Sequence, residues 1–180
     1  GAGKNYNVVF GVIIGTGVGG GIIINKKVIQ GYNKIGGEWG HIPLPNRTDD
    51  EKKYSNKCYC GLEGCLETYI SGPGFSNIYN LKNDANFDSH QIIEGYVNQN
   101  EKSIEALENY VDHLARGLSN IINTLDPEII VLGGGMSNID YIYDHINKQL
   151  KLYVFSDILH TKVVKNIHGD SGGVRGAAWL

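Results

Sequence analysis

Three cysteines lie close together in the sequence, in the pattern C-x-C-x4-C. They are Cys58, Cys60 and Cys65. Clustered thiolates are typical ligands of a structural zinc ion, which binds four thiolate or imidazole groups in a tetrahedron. Gly61 and Gly64 stand between the second and third cysteines and would allow the sharp turns that direct three sulfur atoms toward one point. The alternative interpretation is three free thiols, which the close spacing disfavours.

A fourth zinc ligand would come from elsewhere in the chain. His41 lies upstream in the segment Glu38-Trp39-Gly40-His41, and five other histidines compete with it. The residues alone leave this choice open. Four protein ligands would make the site structural, because a catalytic zinc ion keeps one position free for water or substrate.

The segment Gly15-Thr16-Gly17-Val18-Gly19-Gly20 matches the pattern G-x-G-x-x-G. A dinucleotide site needs a helix after the last glycine, yet the following residues are β-branched and predict a strand. We therefore predict a hairpin whose tip holds phosphate oxygens through backbone amides and the Thr16 hydroxyl. The alternative is a simple glycine-rich turn. A second cluster, Gly133-Gly134-Gly135, follows an apolar strand and would let a ligand lie against the backbone or would serve only as a turn.

Two glutamates flank the cysteine cluster in sequence. Glu38 precedes it and Glu67 follows it. If a metal ion joins the two segments, both carboxylates can face one pocket and accept hydrogen bonds from sugar hydroxyls. The alternative is two ordinary surface glutamates.

The order of predicted elements indicates an α/β domain with a mixed sheet. The clearest helix is 101–125, where apolar residues recur every three or four positions until Asp126-Pro127 ends it. Segment 47–57 predicts a polar surface loop, and 66–81 a helix interrupted at Gly72-Pro73-Gly74. The other predicted strands and helices are 8–14, 21–25, 28–30, 91–98, 128–132, 139–150, 162–166 and 172–180. Without a linker or an internal repeat, the 180 residues are expected to form one domain.

Composition excludes several functional classes. The formal net charge is -3 and the pI is about 6.1, so there is no basic surface for nucleic acid. No apolar run approaches the roughly 20 residues of a membrane span, and the N-terminal residues do not form a signal peptide. A cytoplasmic protein that contacts neither membrane nor nucleic acid through this domain is expected.

Taken together and in order, these motifs resemble the ROK family of sugar kinases and repressors. The matching segments are GAGKNYNVVFGVIIGTGVGGG, GGEWGH, CYCGLEGCLETYIS, IINTLDPEIIVLGGGMS and GDSGGVRGAA, which are spread over almost the whole chain. Within the family, the chain is most similar to the bacterial kinases of N-acetylglucosamine. The resemblance implies the C-terminal lobe of an actin-like, ribonuclease-H-like ATPase fold.

The resemblance also implies roles for individual residues. His41, Cys58, Cys60 and Cys65 would bind structural zinc, and Glu38, His41 and Glu67 would contact the sugar. The residues implied near the phosphates of ATP are Thr16, Gly17, Val18, Gly19, Gly20 and Gly21, and those near the adenosine are Gly133, Gly134 and Gly135. The implied activity is transfer of the γ-phosphoryl group of Mg²⁺-ATP to the 6-hydroxyl of N-acetylglucosamine, by a protein expected to form homodimers.

One departure from the family concerns the catalytic base. The family has an N-terminal lobe with a phosphate loop and an aspartate in an N-D-x-N segment, whereas this sequence begins at Gly1 with GAGK. The catalytic aspartate is therefore expected to lie upstream of Gly1. No aspartate here stands in that motif, so the chain alone is expected to be inactive. Two alternatives remain open: a kinase for glucose, fructose or N-acetylmannosamine, and the sugar-sensing domain of a ROK transcriptional repressor.

Overall fold

A five-stranded mixed sheet forms the centre of the protein. The computed structural model describes residues 1–169. Along the sheet the strands lie in the order β3-β2-β1-β4-β5, with β1, β2 and β3 antiparallel and β1, β4 and β5 parallel. The strands are β1 (Val8–Ile14), β2 (Val18–Ile24), β3 (Lys27–Val28), β4 (Ile129–Gly133) and β5 (Lys162–Lys165). The predicted α/β class with a mixed sheet is confirmed.

Six α-helices and two short 3₁₀ helices accompany the sheet in residues 1–169. The α-helices are α1 (Asp49–Tyr54), α2 (Glu67–Ile70), α3 (Gly72–Asn83), α4 (Ser89–Val97), α5 (Glu101–Leu125) and α6 (Asp140–Leu150). The 3₁₀ helices are Trp39–His41 and Gly135–Asn138. None of these helices is both long and apolar enough to cross a membrane.

The core lies between one face of the sheet and helix α5. Alternate residues of β1, such as Phe10 and Ile14, are fully buried and belong to the same apolar cluster as Leu114 and Leu118 of α5. The Asn100 side chain caps the N-terminus of α5 by accepting a hydrogen bond from the Ser103 amide. The predicted bounds of this helix are confirmed because its apolar period and both end signals agree.

The structure corrects the prediction for segment 47–57. A six-residue helix, α1, lies in this segment in place of the surface loop that we predicted. Thr48 and Glu51 form a capping box, in which each side chain accepts a hydrogen bond from the backbone amide of the other. The signal T-x-x-E is present in the sequence, but without an apolar period it does not stand out.

Smaller differences concern the ends of other elements. β2 begins at Val18 and not at Gly21, so the glycine hairpin has a short tip. The break between α2 and α3 falls at Ser71, which caps α3, and Pro73 fits into the first turn of that helix. The predicted helix 172–180 lies outside the described residues.

Candidate functional site

The cysteine cluster is built on two tight turns. The Cys58 amide donates to the Leu62 carbonyl and the Gly61 amide donates to the Cys58 carbonyl, both at 2.9 Å. Gly61 and Gly64 have φ angles of 91° and 79°, a left-handed conformation that favours glycine. The predicted role of the two glycines in turning the chain is therefore confirmed by the backbone.

His41 reaches the cysteines because two extended segments pair. The Leu66 amide donates to the Ile42 carbonyl and the Leu44 amide donates to the Gly64 carbonyl, each at 2.9 Å. This pairing places the 3₁₀ helix that ends at His41 beside Cys65. Trp39 anchors the same short helix, because its buried indole donates to the Gly19 carbonyl of β2 at 2.9 Å.

Four ligand atoms of the predicted metal site converge. One ring nitrogen of His41 and the Sγ atoms of Cys58, Cys60 and Cys65 all lie within 4.8 Å of one another. His41 Nδ1 is 3.5 Å from Cys58 Sγ, and the Sγ atoms of Cys60 and Cys65 are 3.5 Å apart. Around zinc with bonds of about 2.3 Å, tetrahedral geometry puts sulfur atoms about 3.8 Å apart. The donor set and its spacing thus fit a zinc ion, and the structure groups His41, of the six histidines, with the cysteines.

The three thiols differ in their surroundings. Cys58 and Cys65 are buried, whereas Cys60 is exposed. Burial raises the pKa of the Cys65 thiol to about 12, and the neighbouring thiols act in the same direction. The Leu62 amide lowers the pKa of the Cys60 thiol. A metal ion that binds all three sulfurs must therefore displace at least the proton of Cys65.

Glu67 connects the cysteine cluster to the glycine hairpin. One carboxylate oxygen accepts a hydrogen bond from the Val18 amide at 2.8 Å, and the other lies 3.9 Å from Cys58 Sγ. Glu38 precedes the His41 helix and is exposed. Both carboxylates lie close enough to the Tyr59 phenol to raise its pKa, in addition to the larger effect of desolvation. His41 and Glu67 therefore both lie beside Cys58.

The predicted nucleotide residues do not all lie together. Thr16 and Gly135 line one cavity of roughly 700 Å³, with α3 and the N-terminal part of α4 on its other side. A separate cavity of roughly 640 Å³ is lined by Gly19, Gly20, Gly21, Gly133 and Gly134. Gly1, upstream of which the catalytic aspartate is expected, lines that second cavity as well. The three glycines of β2 belong to the strand and pair with β1, so they are not part of a loop.

Two further residues of the hairpin, Gly17 and Val18, lie against the Glu67 carboxylate. The Val18 amide is already used by Glu67. Gly17 lies next to the same carboxylate, where an added Cβ would stand 2.9 Å from its Oε2 atom. At the tip, the Gly15 amide donates to the Gly17 carbonyl at 2.9 Å. Thr16 is the exposed polar side chain of this tip.

Helix α5 holds the loop before the cysteines through one buried arginine. Arg116 is 4% exposed and donates to the carbonyls of Pro45 and Asn46 at 2.9 and 3.2 Å. Both Nη atoms also donate to the Glu51 carboxylate, and Arg116 Nε lies 2.9 Å from an oxygen of Asp112. The loop between His41 and Cys58 is thereby attached to the central helix.

The Glu51 carboxylate also accepts a hydrogen bond from His113 Nε2 at 2.9 Å. Burial opposes ionisation of Glu51, but the hydrogen bonds from His113 and Arg116 outweigh it and hold the pKa of this carboxyl well below its ordinary value. Burial lowers the pKa of His113. The arrangement is thus an ionised carboxylate bound by a guanidinium and by a neutral imidazole.

The family model described as "ROK family" matches residues 1–180. The chain belongs to the ROK family. N-acetyl-D-glucosamine kinase of Yersinia enterocolitica is 40% identical over 182 residues, which cover 98% of this chain and 59% of the relative. The corresponding protein of Pectobacterium atrosepticum is 41% identical over 180 residues, with the same coverage. The chain thus spans 59% of the length of these curated relatives.

A solved ROK structure has the same fold. The ROK family glucokinase from Streptomyces griseus, in complex with glucose and AMPPNP, is 25% identical and superposes with a TM-score of 0.87 over 100% of this chain and 62% of that one. The implied actin-like ATPase fold is confirmed by this likeness together with the mixed sheet.

Sequence reasoning missed two groups of this ROK chain. The first is the buried set around Arg116, whose hydrogen-bond partners Pro45, Asn46 and Glu51 are 65 to 71 residues away and leave no local pattern. The second is Tyr59, the middle residue of C-x-C, which contacts His41. Its position between two predicted metal ligands is the one signal that could have drawn attention to it.

Proposed function

We propose that the protein to which this chain belongs phosphorylates N-acetylglucosamine at its 6-hydroxyl with Mg²⁺-ATP. The observation that carries this proposal is the identity of about 40% to N-acetyl-D-glucosamine kinases across 98% of the chain. At this identity and coverage, a shared reaction is the simplest account of the shared motifs.

The cysteine cluster has a supporting role in this proposal. His41, Cys58, Cys60 and Cys65 would hold a structural zinc ion, because their four donor atoms already converge. Such an ion joins the segment that carries Glu38 and His41 to the segment that carries Glu67. It supplies rigidity and no chemistry to the transfer, since protein ligands fill all four positions.

The sugar would lie where the three predicted contact residues meet. Glu38 and Glu67 offer carboxylate oxygens that accept hydrogen bonds from sugar hydroxyls, and His41 offers its Nε2 atom. Glu67 would serve two purposes, because one of its oxygens holds the Val18 amide and the other stays outside that bond. This carboxylate would hold the sugar at a fixed distance from the glycine hairpin.

For the nucleotide, Thr16 and Gly135 are the best supported of the nine predicted residues. They line the same cavity, which is large enough for part of a nucleotide and opens at the hairpin tip. Thr16 has a hydroxyl donor for a phosphate oxygen, and Gly135 has open space where a side chain would be. Mg²⁺ would bind the phosphates and neutralise their charge during transfer.

We assign no catalytic base within this chain. Phosphoryl transfer depends on positioning and charge neutralisation, with a carboxylate taking the proton of the attacking hydroxyl. In the family, the aspartate with this role lies in a segment that precedes the position of GAGK. One kinase lobe in residues 1–180 and the homodimer also remain predictions.

The test is ADP release by the full-length protein with Mg²⁺-ATP and four sugars: N-acetylglucosamine, N-acetylmannosamine, glucose and fructose. We expect the highest kcat/KM with N-acetylglucosamine. Preference for another sugar would keep the reaction and change the substrate. No turnover with any of them, from folded protein that contains zinc, would contradict the proposal and favour a sugar-sensing repressor.

A further inference from the structure

Tyr59 forms a hydrogen bond with Nε2 of His41, the ring nitrogen that faces away from the cysteines. Its hydroxyl lies 2.9 Å from His41 Nε2, and the two rings meet edge to face with centroids 5.0 Å apart. The side chain is 83% exposed. Within residues 1–169, this is the one hydrogen bond of the Tyr59 hydroxyl. A single polar contact therefore holds a largely solvated phenol over His41.

The direction of this hydrogen bond follows from the other ring nitrogen. His41 Nδ1 points at Cys58 Sγ, where it would donate an electron pair to a metal ion. The proton of a neutral imidazole then resides on Nε2, which donates to the Tyr59 oxygen. Tyr59 therefore acts as the acceptor, and its own O–H remains available to a further acceptor.

The surroundings of the phenol match those proposed for a sugar hydroxyl. His41 bonds to Tyr59 directly, and Glu67 lies beside the neighbouring residue, with one carboxylate oxygen 3.9 Å from Cys58 Sγ. Both residues are proposed sugar contacts. A sugar hydroxyl has the same hydrogen-bonding capacity as the phenol, one donor and two acceptor lone pairs. Tyr59 and a bound sugar would thus compete for the same nitrogen.

We propose that Tyr59 tunes sugar affinity by occupying His41 Nε2 in the sugar-free protein, from which a sugar hydroxyl displaces it. The proposal rests on the proposed function. Displacement requires the loss of one exposed hydrogen bond and a rotation of a side chain that is already in solvent. A bond of this kind changes an equilibrium by about 2- to 10-fold, so removing it strengthens sugar binding by that factor.

The experiment compares Tyr59→Phe with wild type in the full-length protein. Phenylalanine keeps the ring contact with His41 and removes the hydroxyl. Titration calorimetry with N-acetylglucosamine is expected to give a Kd about 2- to 10-fold lower, with zinc content unchanged and KM lowered without change in kcat. Tyr54→Phe is the matched control, because the Tyr54 ring lies beside the ammonium groups of Lys53 and Lys82, and its Kd is expected to equal that of wild type.

A second readout separates this proposal from the proposed function. In the sugar-free wild type, the Nε2–H signal of His41 in ¹⁵N-edited NMR is expected to exchange slowly with water, and Tyr59→Phe is expected to accelerate that exchange. A Kd for Tyr59→Phe higher than that of wild type would mean that the hydroxyl binds the sugar directly. That result would refute the proposal that sugar displaces Tyr59 from His41. An unchanged Kd or unchanged exchange would overturn it as well. Absence of sugar binding by wild type with the NMR difference intact would instead refute the proposed function.

Discussion

Replacing Arg116 with methionine is predicted to destabilise the protein by about 3–5 kcal/mol, the cost of breaking a buried ion pair. Methionine retains the aliphatic volume but removes the donors to Pro45, Asn46 and Glu51. The side chains of Arg116 and Glu51 are 4% and 14% exposed, so water can replace only part of the lost hydrogen bonding. Each hydrogen bond to a charged group contributes about 1.5–3 kcal/mol, so the sum over the bonds of Arg116 would exceed this estimate. The smaller value is expected because the contributions of bonds that share one side chain are not additive.

The assay is urea unfolding of the full-length protein, followed by circular dichroism. Lys52→Met on helix α1 is the control, because its ion pair with Asp49 is exposed to solvent and is expected to contribute little to stability. Arg116→Met combined with Glu51→Gln is expected to cost less than the sum of the two single changes, by about 0.5–3 kcal/mol. An Arg116→Met protein no less stable than Lys52→Met would refute the role of this pair in holding the loop.

Three other predictions concern acid, zinc and nucleotide. The folded-state pKa values of His113 and Glu51 lie below their ordinary values of 6.5 and 4.5, so each contributes stability that is present at neutral pH. As the pH is lowered, the free energy of unfolding is expected to decrease from about pH 6.5 and to decrease again from about pH 4.5. His113→Gln is expected to make the first decrease smaller, whereas replacement of the exposed His90 by glutamine is not. Cys65→Ser is expected to lose zinc to a chelator that leaves wild type loaded, measured by atomic absorption; equal retention would contradict four-ligand binding. Gly135→Val places a branched side chain at the cavity beside Thr16 and is expected to raise KM for ATP at least several-fold without changing sugar Kd, and an unchanged KM would exclude this cavity.

Local patterns predicted the parts of the fold that local forces determine. In helix α5 the apolar period, the capping residue and the terminating proline indicate the same ends, so the observed bounds equal the predicted ones. Strand β1 is a β-branched apolar run and is equally well defined. The metal cluster could be predicted from the sequence because three of its ligands lie within eight residues and two glycines permit the turns between them.

Contacts between distant segments could not be predicted in this way. The choice of His41 among six histidines depends on the pairing of segments 42–44 and 64–66, which the sequence does not display. Helix α1 has a capping box, but its stability depends on Arg116 and His113, more than 60 residues away. The separation of the glycines into two cavities follows from the pairing of β2 with β1, whereas the sequence shows only one glycine-rich run.

The most direct test of the proposed reaction is the structure of the product. Full-length protein with Mg²⁺-ATP and N-acetylglucosamine is expected to yield one sugar phosphate, whose phosphorus signal couples in NMR to the two protons on carbon 6. Coupling to the proton on carbon 1 would show that a different hydroxyl is attacked. Absence of any phosphorylated sugar, from protein that is folded and holds zinc, would contradict the proposed N-acetylglucosamine kinase activity.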